Sequence, residues 1–211
     1  MAGPKIVLVV TEHPPAITPA CERHYERIRL VIERIAGVPV RSQRYVEVDD
    51  FDGAAAILLS GSFAPWAVHD RAALGRLGEA IVGFDGPVLG ICAGMQLQVL
   101  FAGGAIAARE RPEVGFGPIE ILDGSDLLHG LDSPVVAYKH HSENVAMLPE
   151  GFTVLARSQS CQVEAFAALQ RRWWGTQFHP EAYTAQHPAG ERVLANFFAM
   201  AELHRYGRLP G

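Results

Sequence analysis

The chain has 211 residues, of which 49% are hydrophobic and 19% are charged, and its 18 Lys and Arg against 23 Asp and Glu give a net charge of -5. This length can bury a substantial core, and we expect a single domain over residues 1–211. The absence of a basic block argues against nucleic-acid binding. The apolar run at residues 6–10 is too short for a signal sequence or a membrane span, so we expect a cytoplasmic protein without a membrane partner.

The first half of the chain alternates between extended and helical patterns. The predicted strands are residues 5–10, 38–48, 54–59 and 87–91, and the predicted helices are residues 19–36, 71–84 and 94–101. Gly75, Gly78 and Gly83 are expected to break up the second helix. This alternation predicts an α/β fold in three layers, with a mostly parallel sheet, helices on both faces and a site beyond the carboxyl ends of the strands.

The second half has a different texture, because strand-like segments follow one another with turns between them. These segments are residues 118–122, 135–140, 152–156, 163–169 and 173–178. They predict a mixed or antiparallel region in the C-terminal half. A helix with one apolar face is predicted over residues 190–203 and is expected to pack on the sheet.

The cysteines Cys21, Cys92 and Cys161 are far apart and form no C-x-x-C pair. Their spacing predicts neither a disulfide framework nor a structural zinc site. His140, His141 and His187 have no partner carboxylates at ligand spacing, and no phosphate-binding glycine loop is present, so we predict no metal and no cofactor. Any cysteine with a special role should therefore be special for its reactivity.

Residues 88–94, VLGICAG, place Cys92 between an apolar strand and a helix, with a glycine two positions away on either side. This pattern is typical of a nucleophile elbow, in which the glycines let strand and helix cross closely and the cysteine projects from a strained turn into solvent. The helix N-terminus would favour a thiolate, and the backbone N–H of Ala93 would meet a developing oxyanion. By itself the segment fits a buried cysteine at a strand end equally well.

Residues 175–181, GTQFHPE, place His179 and Glu181 two positions apart at the end of another predicted strand. A cysteine nucleophile needs such a pair. The histidine holds the thiol proton and later protonates the leaving amine, while the carboxylate orients the imidazole and stabilises its charged form. Because the chain has nine histidines, a loop histidine beside a solvated glutamate is the alternative for this segment alone.

Together, residues 87–96, PVLGICAGMQ, and residues 177–181, QFHPE, closely resemble the two signatures of class I glutamine amidotransferases in order and separation. The resemblance continues through residues 57–61, 113–115, 140–145, 148–152 and 196–198, and so covers most of the chain. Within the family, the sequence of these segments is most similar to that of the glutaminase domain of GMP synthase. The resemblance implies that Cys92 attacks the side-chain amide of glutamine to form a γ-glutamyl thioester, with His179 as acid-base and Glu181 as its orienting carboxylate.

The same resemblance implies roles for residues around this triad. Gly61 and Ala93 would supply oxyanion amides. Gln96 would hold the substrate, and the backbone of His141 and Ser142 would bind its amino-acid end. From the residues alone, Gln96 fits a solvent-facing helix position and Ser142 an ordinary turn.

One segment departs from the pattern of GMP synthase-like domains, because Ser62 stands where that pattern has glycine. If the position required a positive φ, serine would strain it by about 1 kcal/mol or more, and the loop would be reshaped around a different acyl group. Phe63, Pro65 and Trp66 add bulk nearby. The departure bears on the choice of substrate more than on the chemistry.

Three functions are compatible with these patterns. The first is a glutaminase that feeds ammonia to a separate synthase, because the chain contains nothing to activate or aminate an acceptor. The second is a free-standing γ-glutamyl hydrolase or peptidase acting on γ-glutamyl conjugates, which the altered residues 60–66 favour. The third is a non-catalytic regulatory module of the same fold, which an occluded elbow would produce.

Overall fold

The computed structural model of the chain describes residues 5–202. Its strands are β1 (Lys5–Val10), β2 (Val40–Arg44), β3 (Ala54–Leu59), β4 (Val88–Ile91), β5 (Ala105–Ile121), β6 (Val135–Met147), β7 (Thr153–Arg157), β8 (Ala165–Ala168) and β9 (Trp173–Thr176). Its helices are α1 (Pro19–Ala36), α2 (Arg71–Val82), α3 (Ala93–Phe101) and α4 (Ala189–Met200). None of the described helices is long and apolar enough to cross a bilayer.

The strands form one nine-stranded sheet in the order β2-β1-β3-β4-β9-β8-β7-β5-β6. The first five strands in this order run parallel to their neighbours, and the remaining pairs are antiparallel. The predicted mixed sheet, with its parallel part formed mainly by the first half of the chain, is therefore confirmed. Strand β9 comes from the second half and completes the parallel part beside β4.

Alternation along the strands supplies both faces of this sheet with apolar side chains. Ile6 and Leu8 of β1 join the core beneath α1 and α4, whereas Val7 and Val9 join the core beneath α2 and α3. The two clusters lie on opposite faces, so the predicted three layers are confirmed. This arrangement leaves the carboxyl ends of the parallel strands along one edge of the sheet.

Helix α2 shows that the predicted interruptions at Gly75 and Gly78 were wrong, whereas the helix does end at Gly83. It runs without interruption through Gly75 and Gly78 to Val82, and Asp70 caps its start by accepting hydrogen bonds from the N–H groups of Ala72 and Ala73. A Cβ atom on Gly78 would lie 2.9 Å from the ring of Phe101 in α3. Gly78 therefore permits close packing of two helices, which a local propensity does not reveal.

The bounds of three predicted strands and of the last predicted helix differ from those in the structure. The predicted strand at residues 38–48 is shorter, because a helical turn at Tyr45–Glu47 follows β2 and buries Tyr45. Strands β5 and β6 are much longer than predicted, with 17 and 13 residues. Together they form a two-stranded ribbon whose faces are mostly exposed to solvent. Its sequence therefore lacks the apolar alternation from which the full length of the strands could be predicted. Helix α4 ends at Met200, and the predicted end at residue 203 lies outside the described residues.

Candidate active site

Three segments meet at the carboxyl edge of the parallel strands. Strands β4 and β9 are paired with Ile91 opposite Thr176, so the residues that follow them are neighbours. The N–H of Cys92 donates to the carbonyl of Thr176 at 2.7 Å, which ties the two strand ends together. Strand β3 lies on the other side of β4 and leads into Gly61. This topology brings the two sequence signatures and Gly61 to one place.

The turn at Cys92 has the strained geometry expected of an elbow. Cys92 has φ 52° and ψ -107°, a positive-φ conformation that costs a non-glycine residue about 1–3 kcal/mol. Helix α3 begins at the next residue. A Cβ atom on Gly90 would lie 2.5 Å from the backbone nitrogen of Met95, and one on Gly94 would overlap the carbonyl oxygen of Leu59. Both glycines are therefore required for the strand and helix to cross.

The prediction that Cys92 projects into solvent was wrong, because the residue is only 4% exposed. Its sulfur lies 3.6 Å from the backbone oxygen of His140 and accepts a hydrogen bond from Nε2 of Gln177 at 3.6 Å. It lines a cavity of about 170 Å³ beneath residues 62–66 and β6. Both covering segments are distant in the chain, so the local pattern around the cysteine does not show that it is covered.

The orientation of His179 is set by Glu181. The helical turn at Pro180–Ala182 brings the carboxylate back towards the imidazole, and Nδ1 of His179 lies 2.8 Å from Oε1 of Glu181. The N–H of His179 donates to the carbonyl of Tyr138 at 2.8 Å, which holds the backbone in place. Nε2 is buried and, among the described residues, has no partner with hydrogen-bond geometry. It is thus the ring nitrogen that is free for proton transfer.

The charge of His179 follows from its surroundings. Burial lowers the pKa of His179, but the charges of Glu181 and Cys92 outweigh it and raise the pKa well above its ordinary value. The imidazole is therefore held in its protonated form at neutral pH. A protonated imidazole beside a cysteine stabilises the thiolate, which is the reactive form of the nucleophile.

Gly61 lies directly opposite this pair. A Cβ atom on Gly61 would lie 3.0 Å from Cε1 of His179 and 3.6 Å from Cβ of Cys92, so a side chain here would intrude on the pair. Within residues 5–202, the backbone N–H groups of Gly61 and Ala93 are not engaged in hydrogen bonds. Two free donors thus lie next to Cys92, one on Gly61 and one on the residue that follows the cysteine.

Gln96 is buried, not solvent-facing, and both ends of its amide are engaged. Its Oε1 accepts a hydrogen bond from Nε1 of Trp66 at 3.1 Å. Its Nε2 donates to the carbonyl of Glu143 at 3.0 Å and to Oε1 of Gln177 at 3.2 Å. Gln96 lines the cavity beside Cys92 and ties residues 62–66, α3 and β6 together.

His141 and Ser142 line the same cavity, as the resemblance implies. The imidazole of His141 is buried, with Nδ1 3.2 Å from the carbonyl of Glu143 and Nε2 3.6 Å from Oε2 of Glu113. Burial lowers the pKa of His141 to about 4, so the ring is neutral at pH 7 and forms no ion pair with Glu113. The ring is therefore held inside the protein at β6, by burial and by its contact with the carbonyl of Glu143.

The strain considered for Ser62 does not occur. The non-glycine residues with positive φ in the described part of the chain are Cys92, Asp126, Arg172 and Glu202. Ser62 instead donates a hydrogen bond from its hydroxyl to Oε1 of Glu12 at 3.0 Å. Glu12 was missed by the sequence analysis, although its place just beyond the carboxyl end of β1 was a usable signal.

Within residues 5–202, no group of three or more His, Cys, Asp and Glu side chains is placed to hold a metal ion. An ionic cluster around the buried side chain of Lys139 was not predicted from the sequence. Nζ of Lys139 lies 3.1 Å from Oε1 of Glu113 and 2.5 Å from Oε1 of Glu164. These charges connect β5, β6 and the residue before β8, and hence support the strand that carries His141.

Comparison with known proteins gives a consistent family. Residues 27–201 match the family model described as glutamine amidotransferase class-I. A glutamine-hydrolysing GMP synthase subunit from Thermoplasma acidophilum is 31% identical over 160 residues, which is 76% of this chain and 78% of that protein. The glutamine-hydrolysing GMP synthase of Bacillus subtilis is 39% identical over 141 residues, which is 67% of this chain and 26% of that protein.

Two solved structures illustrate the likeness of fold. A T. acidophilum protein described as a GMP synthase subunit superposes with a TM-score of 0.79 and 26% identity, covering 98% of each chain. A glutamine amidotransferase from Thermotoga maritima superposes with a TM-score of 0.71 and 14% identity, covering 96% of this chain and 99% of that one. The second likeness concerns the fold alone.

Proposed function

Because the chain belongs to the class I glutamine amidotransferase family, we propose that it hydrolyses the side-chain amide of glutamine and supplies the ammonia to a separate synthase. The observation that carries the proposal is that Cys92, at a strained elbow, and His179, whose Nδ1 is 2.8 Å from Glu181, both lie against Gly61 and interact with each other. A nucleophile, an acid-base and an orienting carboxylate are the three groups that acyl transfer from an amide requires.

The proposed reaction has two steps. The thiolate of Cys92 attacks the amide carbon, a carbon–sulfur bond forms, and the carbonyl electrons move to oxygen. His179 gives its proton to the amide nitrogen, the carbon–nitrogen bond breaks, and ammonia leaves. Water then attacks the thioester while His179 takes its proton, and the carbon–sulfur bond breaks to release glutamate and regenerate the thiolate. Glu181 keeps the imidazole oriented in both steps.

We assign the oxyanion hole to the backbone N–H groups of Gly61 and Ala93. Support comes from their lack of other hydrogen-bonding partners within the described residues and from the position of Gly61 opposite Cys92. The N-terminus of α3 adds a favourable dipole at Ala93. Pre-oriented donors of this kind typically lower the barrier to acyl transfer by several kcal/mol.

Gln96, His141 and Ser142 are proposed to shape the substrate site. The cavity that they line measures about 170 Å³, below the roughly 300–1,000 Å³ of sites for drug-sized ligands. This volume favours a single amino acid over a bulky γ-glutamyl conjugate. Because the Gln96 amide is already bonded at both ends, we propose that Gln96 orders the cavity wall, with the His141–Ser142 backbone binding the amino-acid end.

The proposed partner is a synthase on another chain, and the proposed location is the cytoplasm. Support comes from the T. acidophilum relative, which is named as one subunit of a GMP synthase and has a length similar to this chain, as the 78% coverage indicates. The B. subtilis GMP synthase has most of its length outside the matched region, since the match covers 26% of it. The synthase component of a GMP synthase is therefore the first partner to test. A single domain over residues 1–211 stays a prediction.

The test is glutamate release by the purified chain from glutamine and from glutathione, measured alone and with the synthase component of a GMP synthase. Glutamine is expected to be the preferred substrate, and the partner is expected to raise the rate. The Cys92→Ala variant should release no glutamate while keeping the wild-type melting temperature. Cys21→Ala is the matched control and should retain full turnover, since Cys21 lies on α1.

The other outcomes contradict the proposal in different ways. Preference for glutathione would identify a free-standing γ-glutamyl hydrolase. Absence of turnover of either substrate, with and without the partner, would identify a non-catalytic module. Turnover that survives in Cys92→Ala would exclude the thioester mechanism.

A further inference from the structure

Glu12 is a buried carboxylate that the proposed reaction does not use. It lies just beyond β1 and is 1% exposed. Its Oε1 accepts hydrogen bonds from the N–H of His13 at 3.0 Å, the hydroxyl of Ser62 at 3.0 Å and the N–H of Ala64 at 3.1 Å. Its Oε2 accepts one from the N–H of Phe63 at 2.7 Å. Three of these donors belong to residues 60–64, which we name the oxyanion loop.

The same neighbourhood holds the peptide groups on either side of Gly61. Oγ1 of Thr11 donates to the carbonyl of Ser60 at 2.9 Å, and this carbonyl belongs to the same peptide group as the N–H of Gly61. In a trans peptide the C=O and N–H bonds point in opposite directions, so holding one end sets the direction of the other. The orientation of the proposed oxyanion donor is thus fixed from the β1 side.

Tyr25 links Glu12 to the next peptide group. Its hydroxyl lies 3.0 Å from the carbonyl oxygen of Gly61 and 3.2 Å from Oε2 of Glu12, and it shares its proton between them. Burial and the neighbouring Glu12 charge raise the pKa of Tyr25, so the hydroxyl stays protonated and remains a donor. The loop is therefore bonded from both sides to groups at the carboxyl end of β1 and on α1.

From these contacts we propose that Glu12 is a positioning residue, which holds the oxyanion loop where the N–H of Gly61 can stabilise the tetrahedral intermediate. The inference rests on the proposed function. Oxyanion donors act at about 2.7–3.1 Å, and losing one costs about 10²–10³-fold in kcat. Removing the anchor displaces the donor without deleting it, so we expect Glu12→Gln to lower kcat by about 10–100-fold.

Ser62 adds a side-chain donor to this anchor. Where GMP synthase-like domains carry glycine, the Ser62 hydroxyl gives Glu12 an additional donor. Ser62→Ala removes this hydrogen bond, together with longer contacts of the hydroxyl to the N–H of Ala64 at 3.3 Å and to Nε2 of His69 at 3.4 Å, and should lower kcat a few-fold. Since both substitutions act through the same contact, their combined effect in the double variant should be smaller than the product of the single effects.

A merely structural role for Glu12 makes a different prediction, and alkylation of Cys92 by iodoacetamide separates the two. In that reaction the thiolate displaces iodide from a saturated carbon and no oxyanion forms. A positioning role predicts that Glu12→Gln lowers kcat for glutamine while the alkylation rate of Cys92 stays within about twofold of wild type. The matched control is Glu22→Gln on α1, an exposed glutamate, which should leave both rates unchanged.

The experiment has clear contrary outcomes. An unchanged kcat in Glu12→Gln, or a fall in kcat matched by an equal fall in alkylation, would overturn the inference. If Glu12→Gln does not fold, as its melting curve would show, Ser62→Ala alone decides, and an unchanged kcat there overturns the inference. Wild-type protein that releases no glutamate, with or without a synthase, would overturn the proposed function and this inference together. Wild-type turnover with an unaffected Glu12→Gln would overturn this inference alone.

Discussion

The parallel part of the sheet and the ribbon formed by β5 and β6 use their residues in opposite ways. Strands β3 and β4 are buried along most of their length, whereas Ile119 is the only fully buried residue among the 17 of β5. The parallel part supplies Cys92, His179 and Gly61 from three strand ends, and the ribbon covers them with residues 140–143. The proposed catalytic groups thus come from the buried part of the sheet, and the ribbon that covers them is itself mostly exposed.

The largest effect is expected from removing the charge of Glu181, which lies in the part of the site formed by the parallel strands. Glu181→Gln should lower kcat by about 10³–10⁴-fold, because the imidazole loses its orienting carboxylate. Since Glu181 raises the pKa of His179, the variant should lose its imidazolium at lower pH than the wild type. The pH profile of iodoacetamide labelling at Cys92 measures this. Labelling that persists with an unshifted profile would contradict the assigned role.

The ion pairs of Lys139 are the part of the ribbon from which we expect the largest contribution to stability. Lys139→Met leaves the carboxylates of Glu113 and Glu164 without their shared cation, and should lower the free energy of unfolding by about 3–5 kcal/mol. Arg157→Met is the matched control, because its pair with Glu120 is on the surface. Chemical denaturation measures both. Equal small effects would show that the cluster does not hold the ribbon.

Gly94, which follows the elbow, tests how closely helix α3 packs against the end of β3. Gly94→Ala should destabilise the protein by about 3 kcal/mol, because its Cβ atom would overlap the backbone oxygen of Leu59. Gly75→Ala in α2 is the matched control, since a Cβ atom there meets nothing within 4 Å. It should stabilise the helix by roughly 0.5–1 kcal/mol. Melting curves of the two variants should shift in opposite directions, and a shared direction would refute the packing argument.

Valine-to-alanine substitutions in the parallel strands and in the ribbon should have the smallest effects on stability. Val9→Ala in β1 should cost about 2 kcal/mol, since its side chain is fully buried at 0% exposure. Val114→Ala in β5 should change stability by at most about 0.5 kcal/mol, because Val114 is 61% exposed. A large effect at Val114 in the isolated chain would mean that the ribbon is more enclosed than its exposure indicates.

Helices and parallel strands were predictable because their side chains repeat with the period of the element and are buried. The ribbon was predicted only in part, since polar residues such as Glu110 and Arg111 lie on its exposed face. Gly78 was misread as a helix breaker, because the sequence does not show that Phe101 packs against it. Each error lies where a distant residue, not the local pattern, sets the environment.

The alternation of strands and helices, the elbow at Cys92 and the His179–Glu181 pair could be predicted from the sequence, because glycine spacing and apolar runs act over a few residues. The burial of Cys92, the two bonded ends of the Gln96 amide and the contacts of Glu12 with residues 62–64 became visible only in the folded chain. These contacts join residues about 30 to 50 positions apart, as with Gln96 and Trp66 at 30 and Glu12 and Ser62 at 50. Their hydrogen bonds exist only once the strand ends have been brought together at one edge of the sheet.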